Sequence, residues 1–219
     1  MKFGILTTTA LLIAMGFASG VKAENVSQVK QLLETKECTK CDLTGAQLAG
    51  ADLSGADLTG ANLSGANLNG ANLNEAKLNQ ANLQQAKLQG ASLIAARMHG
   101  VNLQGADLTK ANLSLAGLVI ASLKNTNLTN ANLVGANLES ANLAGANMKN
   151  ARQSIANLAN VSLRGGSLSG IDVLGVNLRD ANLTGANLTG ANLNGSDLTG
   201  ANLMNANMAN VDLKNAALP

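Results

Sequence analysis

From Leu43 to Leu218, every fifth residue is Leu at 31 of 36 positions, without a single insertion or deletion. The exceptions are Met98, Met148, Gln153, Val173 and Met208, of which only Gln153 is polar. Two residues before these positions stands Ala in 27 of 36 cases, and the residue immediately before is Asn or Asp in 25 of 36. A period of five suits neither regular element. On an α-helix five residues turn through about 500°, so successive Leu would step by about 140° and scatter around the axis. On a straight strand an odd period sends Leu alternately to opposite faces. Holding every Leu on one side requires the chain to turn once per repeat. Asn, Asp and Gly tolerate such turns, through left-handed backbone or side-chain bonds back to the main chain. The Ala two residues before each Leu fits a second, narrower inward slot. The chain is therefore expected to wind as an all-β solenoid around an axis of stacked Leu and Ala. Each Leu withdrawn from water contributes roughly 1.5–3 kcal/mol before the entropy of ordering is set against it.

Composition excludes several function classes. The chain has no Trp and no Tyr, and its two Phe, Phe3 and Phe17, both lie near the N-terminus. Readers of nucleic acid that stack bases on aromatic rings have nothing to stack with. The sole His is His99, so a zinc site could draw only on Cys38, Cys41 and His99. An unbroken period leaves no loop for an active site, no phosphate-binding glycine loop and no acid–base cluster. The expectation is a protein that is not an enzyme and carries no cofactor or metal.

The first residues read as a targeting segment. Lys2 precedes a mostly apolar run from Ile5 to Phe17, and Val21-Lys22-Ala23 places small residues before a cut. This predicts a signal peptide over residues 1–23, cleaved after Ala23. The run is shorter than the roughly 20 residues that span a bilayer, so no membrane anchor is expected after its removal. Loss of Lys2 and Lys22 lowers Lys plus Arg from 15 to 13, level with the 13 acidic residues. The formal charge of +2 thus becomes zero, and no basic footprint for nucleic acid survives. From Asn25 to Lys36, Val26, Val29, Leu32 and Leu33 share a helical face, with Asn25 or Ser27 as N-cap. Residues 24–40 are expected to form a helical cap on the first coil, and 41–219 the repeat domain.

The motif A-(N/D)-L-x-x, as in Ala51-Asp52-Leu53-Ser54-Gly55, resembles the pentapeptide-repeat family across residues 41 to 218. Members fold as a right-handed quadrilateral β-helix with four repeats to a coil, which implies about nine coils here. Exported members with a helical cap and a Cys-x-x-Cys before the first repeat are most similar to those of cyanobacteria. That resemblance implies the thylakoid lumen or periplasm, and a structural or interaction role without an assigned mechanism. Some members imitate DNA and regulate DNA gyrase, which is the alternative reading; those are acidic and cytoplasmic, unlike this neutral chain with its targeting segment.

Three features depart from the uniform repeat. Cys38 and Cys41 read either as a disulfide tying the cap to the first coil or as a reduced pair with Cys41 as small apolar filler. Stacking at four repeats per coil brings Ile94, Leu115, Val134, Ile155 and Leu174 near one another, with Val119 and Ile120 on the next face. Such an aliphatic cluster among polar neighbours is a candidate patch for a protein partner, unless Val and Ile merely suit extended backbone. Gln153 in a Leu slot implies a buried amide or a local bulge at Arg152-Gln153-Ser154-Ile155. Lys77, Lys87 and Arg97 replace Asn at outward positions and are expected to make a small basic area. Beyond Leu213 no capping element follows, so the last coil is expected to present an open edge for end-to-end homodimerisation.

Overall fold

The left-handed backbone that the period demands recurs at every fifth described residue from Lys40 to Asn215. The structure, a computed structural model, describes residues 23–152, 156–171 and 173–219. Between these turns each side pairs one outward residue with those twenty before and after it, as in the parallel series Asp42, Asn62, Asn82 and Asn102. Twenty residues per step and five per turn give four sides to a coil. Pairing is confined to one residue per side, so the described residues form isolated bridges rather than extended strands.

Backbone hydrogen bonds then follow one rule around the solenoid. Leu43 N–H donates to Asn62 O (2.7 Å), Gly45 N–H to Ser64 O (2.9 Å), and Asn62 N–H back to Cys41 O (2.8 Å). Ala46 N–H closes the corner onto Leu43 O (3.0 Å). The Asn or Asp of each repeat steadies the turn from outside: Asp52 Oδ1 accepts from Ser54 N–H at 3.1 Å. Leu and Ala fill the axis and are buried as the pattern required. Two polar residues occupy Ala slots and are satisfied there: Thr126 donates to Leu103 O (2.9 Å) and Ser196 to Val173 O (2.6 Å). Each hydroxyl offsets its own burial by bonding a carbonyl of the preceding coil.

The N-terminal end is closed by helix α1, Ala23–Thr35. Its buried face is Asn25, Val29 and Leu32, with Leu33 half-buried. Val26, expected on that face, is 51% exposed, and Asn25 takes its place because its amide reaches the coil. Neither Asn25 nor Ser27 is the N-cap, since the helix already runs at Ala23. Three α1-side residues replace the bonds a preceding coil would have made. Asn25 Nδ2 donates to Thr44 O (2.6 Å), Asp42 N–H donates to Gln28 Oε1 (2.5 Å), and Lys36 Nζ donates to Asp52 O. The helix stops at Lys36, whose φ of 63° and N–H to Leu32 O (2.9 Å) make a left-handed C-cap.

The coil begins one repeat earlier than the Leu pattern implied. Glu37 already pairs with Asp57, and Cys38 N–H donates to Asp57 O at 2.8 Å. Cys38 occupies an inward Leu slot and Cys41 the next Ala slot. The boundary expected at residue 40 therefore lies at Lys36, because a small apolar thiol stood where the pattern sought Leu. The targeting segment, apart from Ala23, lies outside the described residues, as do Gln153 and the bulge expected around it.

At the other end the last coil has no cover among the described residues. The N–H groups of Leu203, Met208 and Leu213, which elsewhere reach the next coil, have no such partner there. Leu203, Met208, Val211 and Leu213 are partly exposed, and Met204 and Leu218 more so, at 60% and 56%.

Candidate functional site

A corner of the solenoid needs a left-handed residue, which Gly supplies without steric cost and Asn with little. Other described corners carry Lys, Glu, Gln, Ala, Ser or Asp, and two carry large aliphatic side chains. Leu115 has φ 61° and is 63% exposed; Ile120 has φ 53° and is 54% exposed. Among the described residues of positive φ, Ile120 is the only β-branched one. Left-handed backbone costs such residues about 1–2 kcal/mol each, and neither recovers it by full burial. Both Val119 and Ile120 lie in the turn, and a preference of branched residues for extended backbone does not explain the left-handed Ile120.

Leu115 and Ile120 close the two ends of one side, and the outward residue between them is Gly117. Nothing in the fold asks for glycine there. Its φ is not left-handed, and a Cβ built on it meets no atom within 4 Å. Among the outward central positions of the repeat it is the sole glycine. The result is a bare backbone floor between two aliphatic ridges. Leu115 leans onto the following coil, where a Cβ at Gly135 would lie 2.8 Å from its Cδ2; Ile120 leans toward Gly100, its Cδ1 3.9 Å from the corresponding position.

Ile94 and Val134 lie one coil before and one coil after the corner that carries Leu115, and Val119 and Ile120 lie at the other end of that side. Ile94, Val119 and Val134 are half-buried along the same side or the coils that flank it. Leu174, 47% exposed, stands apart from them, three coils beyond Leu115. Ile155 lies outside the described residues. Gly117 is not marked by an added apolar group; its sequence signal is the absence of the polar side chain usual at that position.

The stack through this side runs Asp57, Lys77, Arg97, Gly117 and Asn137. Asp57 is held down at about 2, first by the Thr59 hydroxyl and then by the Lys77 ammonium, 3.0 Å away, against the opposing effect of burial. Arg97, next to Gly117, makes no ion pair among the described residues. Lys87 does not join Lys77 and Arg97. It stacks between Asn67 and Asp107, two sides away, because ten residues are half a coil. The expected basic area is thus divided. Lys87 instead lines a polar surface recess of about 470 Å³ with Asn69, Gln85, Gln89 and Asp107, open where Gly105 carries no side chain.

Cys38 and Cys41 form a disulfide. It lies within the first corner of the coil, directly beneath α1, with Cys38 Sγ 3.5 Å from Gln28 O. The bond therefore braces the corner on which the cap sits and does not itself join cap to coil. Among the described residues no three His, Cys, Asp or Glu converge as metal ligands, and no helix is long and apolar enough to cross a membrane.

This five-residue geometry coincides with a known sequence profile. The profile for pentapeptide repeats matches residues 41–80, 76–114, 121–152, 156–195 and 181–218. The chain belongs to the pentapeptide-repeat family. Pentapeptide-repeat proteins fold as right-handed quadrilateral β-helices, and they are generally structural or interaction proteins rather than enzymes. Among solved structures of the family, HetL of Nostoc sp. strain PCC 7120, involved in heterocyst differentiation regulation, is 30% identical. That match covers 80% of this chain and 91% of HetL, with a TM-score of 0.34. A family member from the thylakoid lumen of Arabidopsis thaliana is 28% identical over 65% of this chain and 71% of its own, with a TM-score of 0.39. QnrB1, a plasmid-mediated fluoroquinolone resistance protein, is 16% identical over 76% of this chain and 91% of its own, with a TM-score of 0.41. No curated protein matches the chain.

Proposed function

We propose that this chain is a non-enzymatic interaction protein, a rod of about nine coils that binds a protein partner through the side bounded by Leu115 and Ile120. The single observation that carries the reading is a pair of exposed aliphatic residues in left-handed corners, at a cost to the fold that a partner would offset. The test is cross-linked capture on the intact protein, comparing wild type with a Leu115→Asn/Ile120→Asn variant. Asn is the residue that this repeat itself uses at many such corners, so the variant keeps the fold. Partner retention by wild type and loss by the variant is expected; equal capture by both would discard this surface.

The rod acts outside the cytoplasm, in the periplasm or a thylakoid lumen. The apolar N-terminal segment with Val21-Lys22-Ala23 supports export, and a disulfide suits an oxidising compartment. Fractionation of the native host checks this, and a cytoplasmic pool retaining residues 1–23 would overturn it. A second contact, tail-to-tail pairing of two copies, is favoured by the unpaired amides and partly exposed Leu203, Met208 and Leu213 of the last coil. Sedimentation of a Leu213→Lys/Met208→Lys variant tests it, with loss of a dimer expected.

A further inference from the structure

We infer that the partner of the Leu115–Ile120 side is a second copy of this chain, packed side by side with the two rods antiparallel. The inference rests on the interaction reading above and adds the identity and orientation of the occupant.

It comes from the arrangement of side chains one coil before and one coil after Gly117. Residues twenty apart stack, so Arg97 precedes Gly117 and Asn137 follows it on the same side. The two corners follow the same rule. Ile94 and Ala95 precede Leu115, and Val134 and Gly135 follow it; His99 precedes Val119, and Glu139 follows it.

Two identical faces meet across a two-fold axis lying in the interface. With that axis along the Leu115–Ile120 direction, the rods run antiparallel, and each residue faces its counterpart from the opposite side of Gly117. Leu115 then meets Leu115, Ile120 meets Ile120, and Ile94 meets Val134. His99 lies opposite Glu139, and Arg97 opposite Asn137 with Glu139 beside it. Within one coil of Gly117 on either side, every large apolar group meets an apolar group, and no like charges meet. With the axis along the rod, the rods would be parallel, and the same residues fail. Arg97 would face Arg97, Lys77 would face Lys77, and Val134 would face Glu139. Like charges opposed across an interface disfavour that arrangement.

Gly117 completes the case. It lies at the centre of symmetry, where its own side chain would meet itself. Any of the Asn, Asp, Lys or Arg residues that occupy this stack would stand between the two faces. Glycine there serves neither the turn nor the packing of a single rod, and removes the obstacle in a pair.

The test is sedimentation velocity on the full-length mature protein over a concentration series, at low ionic strength. In the Leu213→Lys/Met208→Lys background, which removes the end-to-end contact and serves as the reference for the variants below, the protein is expected still to form a dimer. Gly117→Asn, whose Cβ enters open space, should weaken it by about tenfold or more without lowering the melting temperature. His99→Glu should weaken it through Glu139, and adding Glu139→Lys should restore it. Gly117→Cys should cross-link to itself on oxidation, and a mixture of His99→Cys with Glu139→Cys should cross-link between copies. A dimer unaffected by Gly117→Asn, or cross-links confined to His99→Cys with itself, overturns the proposal. A reference protein that stays monomeric at high concentration also overturns it. If that monomer still captures a different protein, and loses it in Leu115→Asn/Ile120→Asn, the interaction reading stands while the second copy falls.

Discussion

The two ends of the rod are built from the same repeat and finish in opposite ways. At the N-terminal end the first coil meets α1, and three side chains, Asn25, Gln28 and Lys36, supply bonds that a preceding coil would have made. At the C-terminal end Leu203, Met208 and Leu213 occupy the same inward slots as their buried counterparts, yet are partly exposed, with amides that find no next coil among the described residues. A repeat satisfies its backbone only through its neighbours, so it cannot end itself. Closure has to come from sequence outside the period, and the described chain supplies that at one end.

The contrast is broken or strengthened most directly by truncating one Leu at each end. Leu32→Ala, on the buried face of α1, is expected to cost about 2–5 kcal/mol of unfolding free energy. Leu213→Ala should cost only about 1 kcal/mol, because the side chain is partly in water already. Urea denaturation measures both, and equal losses would mean that the far end is covered as well. Next in size is reduction of the Cys38–Cys41 bond, which should lower stability by about 2 kcal/mol on the loop-entropy account. Hydrogen exchange before and after reduction should show the loss concentrated in the first coil, with the last coil unchanged.

Gln28→Ala should cost about 1 kcal/mol, by leaving the Asp42 amide without its acceptor. Exchange at Asp42 should then rise toward the rates that Leu203, Met208 and Leu213 show in wild type. The smallest effect is electrostatic. Asp57 ordinarily titrates near 3.8 and is held at about 2 in the fold. A depressed folded value means that its contribution is full above the ordinary range and is lost as pH falls through about 2. Asp57→Asn should therefore flatten the acid limb of the stability curve between pH 4 and 2, read by thermal melts. Asp197, near the open end, is also lowered, first by the Thr199 hydroxyl, but it is exposed, and Asp197→Asn should change that limb less.

Most of the architecture could be read from one line of residues, because a period of five admits few ways to keep Leu inside. The inward Ala slot and the turn at every fifth residue follow from it, while the covering helix was legible separately, from the spacing of Val29, Leu32 and Leu33. What escaped the pattern did so for local reasons. Cys38 hides a repeat because a thiol fills a Leu slot without resembling Leu. Asn25 takes the place expected of Val26 on the buried face, with its Nδ2 donating to Thr44 O and its Oδ1 buried without a partner among the described residues. Lys87 parts from Lys77 and Arg97 because sequence proximity says nothing about which of four sides a residue occupies. The aliphatic cluster was visible as a list of residues, but its meaning was not. Only the backbone angle at Ile120 turned a suitable β-former into a residue under conformational cost.

What the sequence determined by itself was everything that repeats: an apolar axis, one turn per five residues and mostly polar outer positions. Repetition makes such features independent of context, since each repeat meets the same neighbours. The tertiary structure decided the exceptions, which depend on residues twenty positions away rather than five. It placed Gly117 between Leu115 and Ile120, set Arg97 and Asn137 on either side, and among the described residues covered only the first coil with a helix. Those are properties of a stacked surface, and stacking is a relation that one turn of chain cannot express.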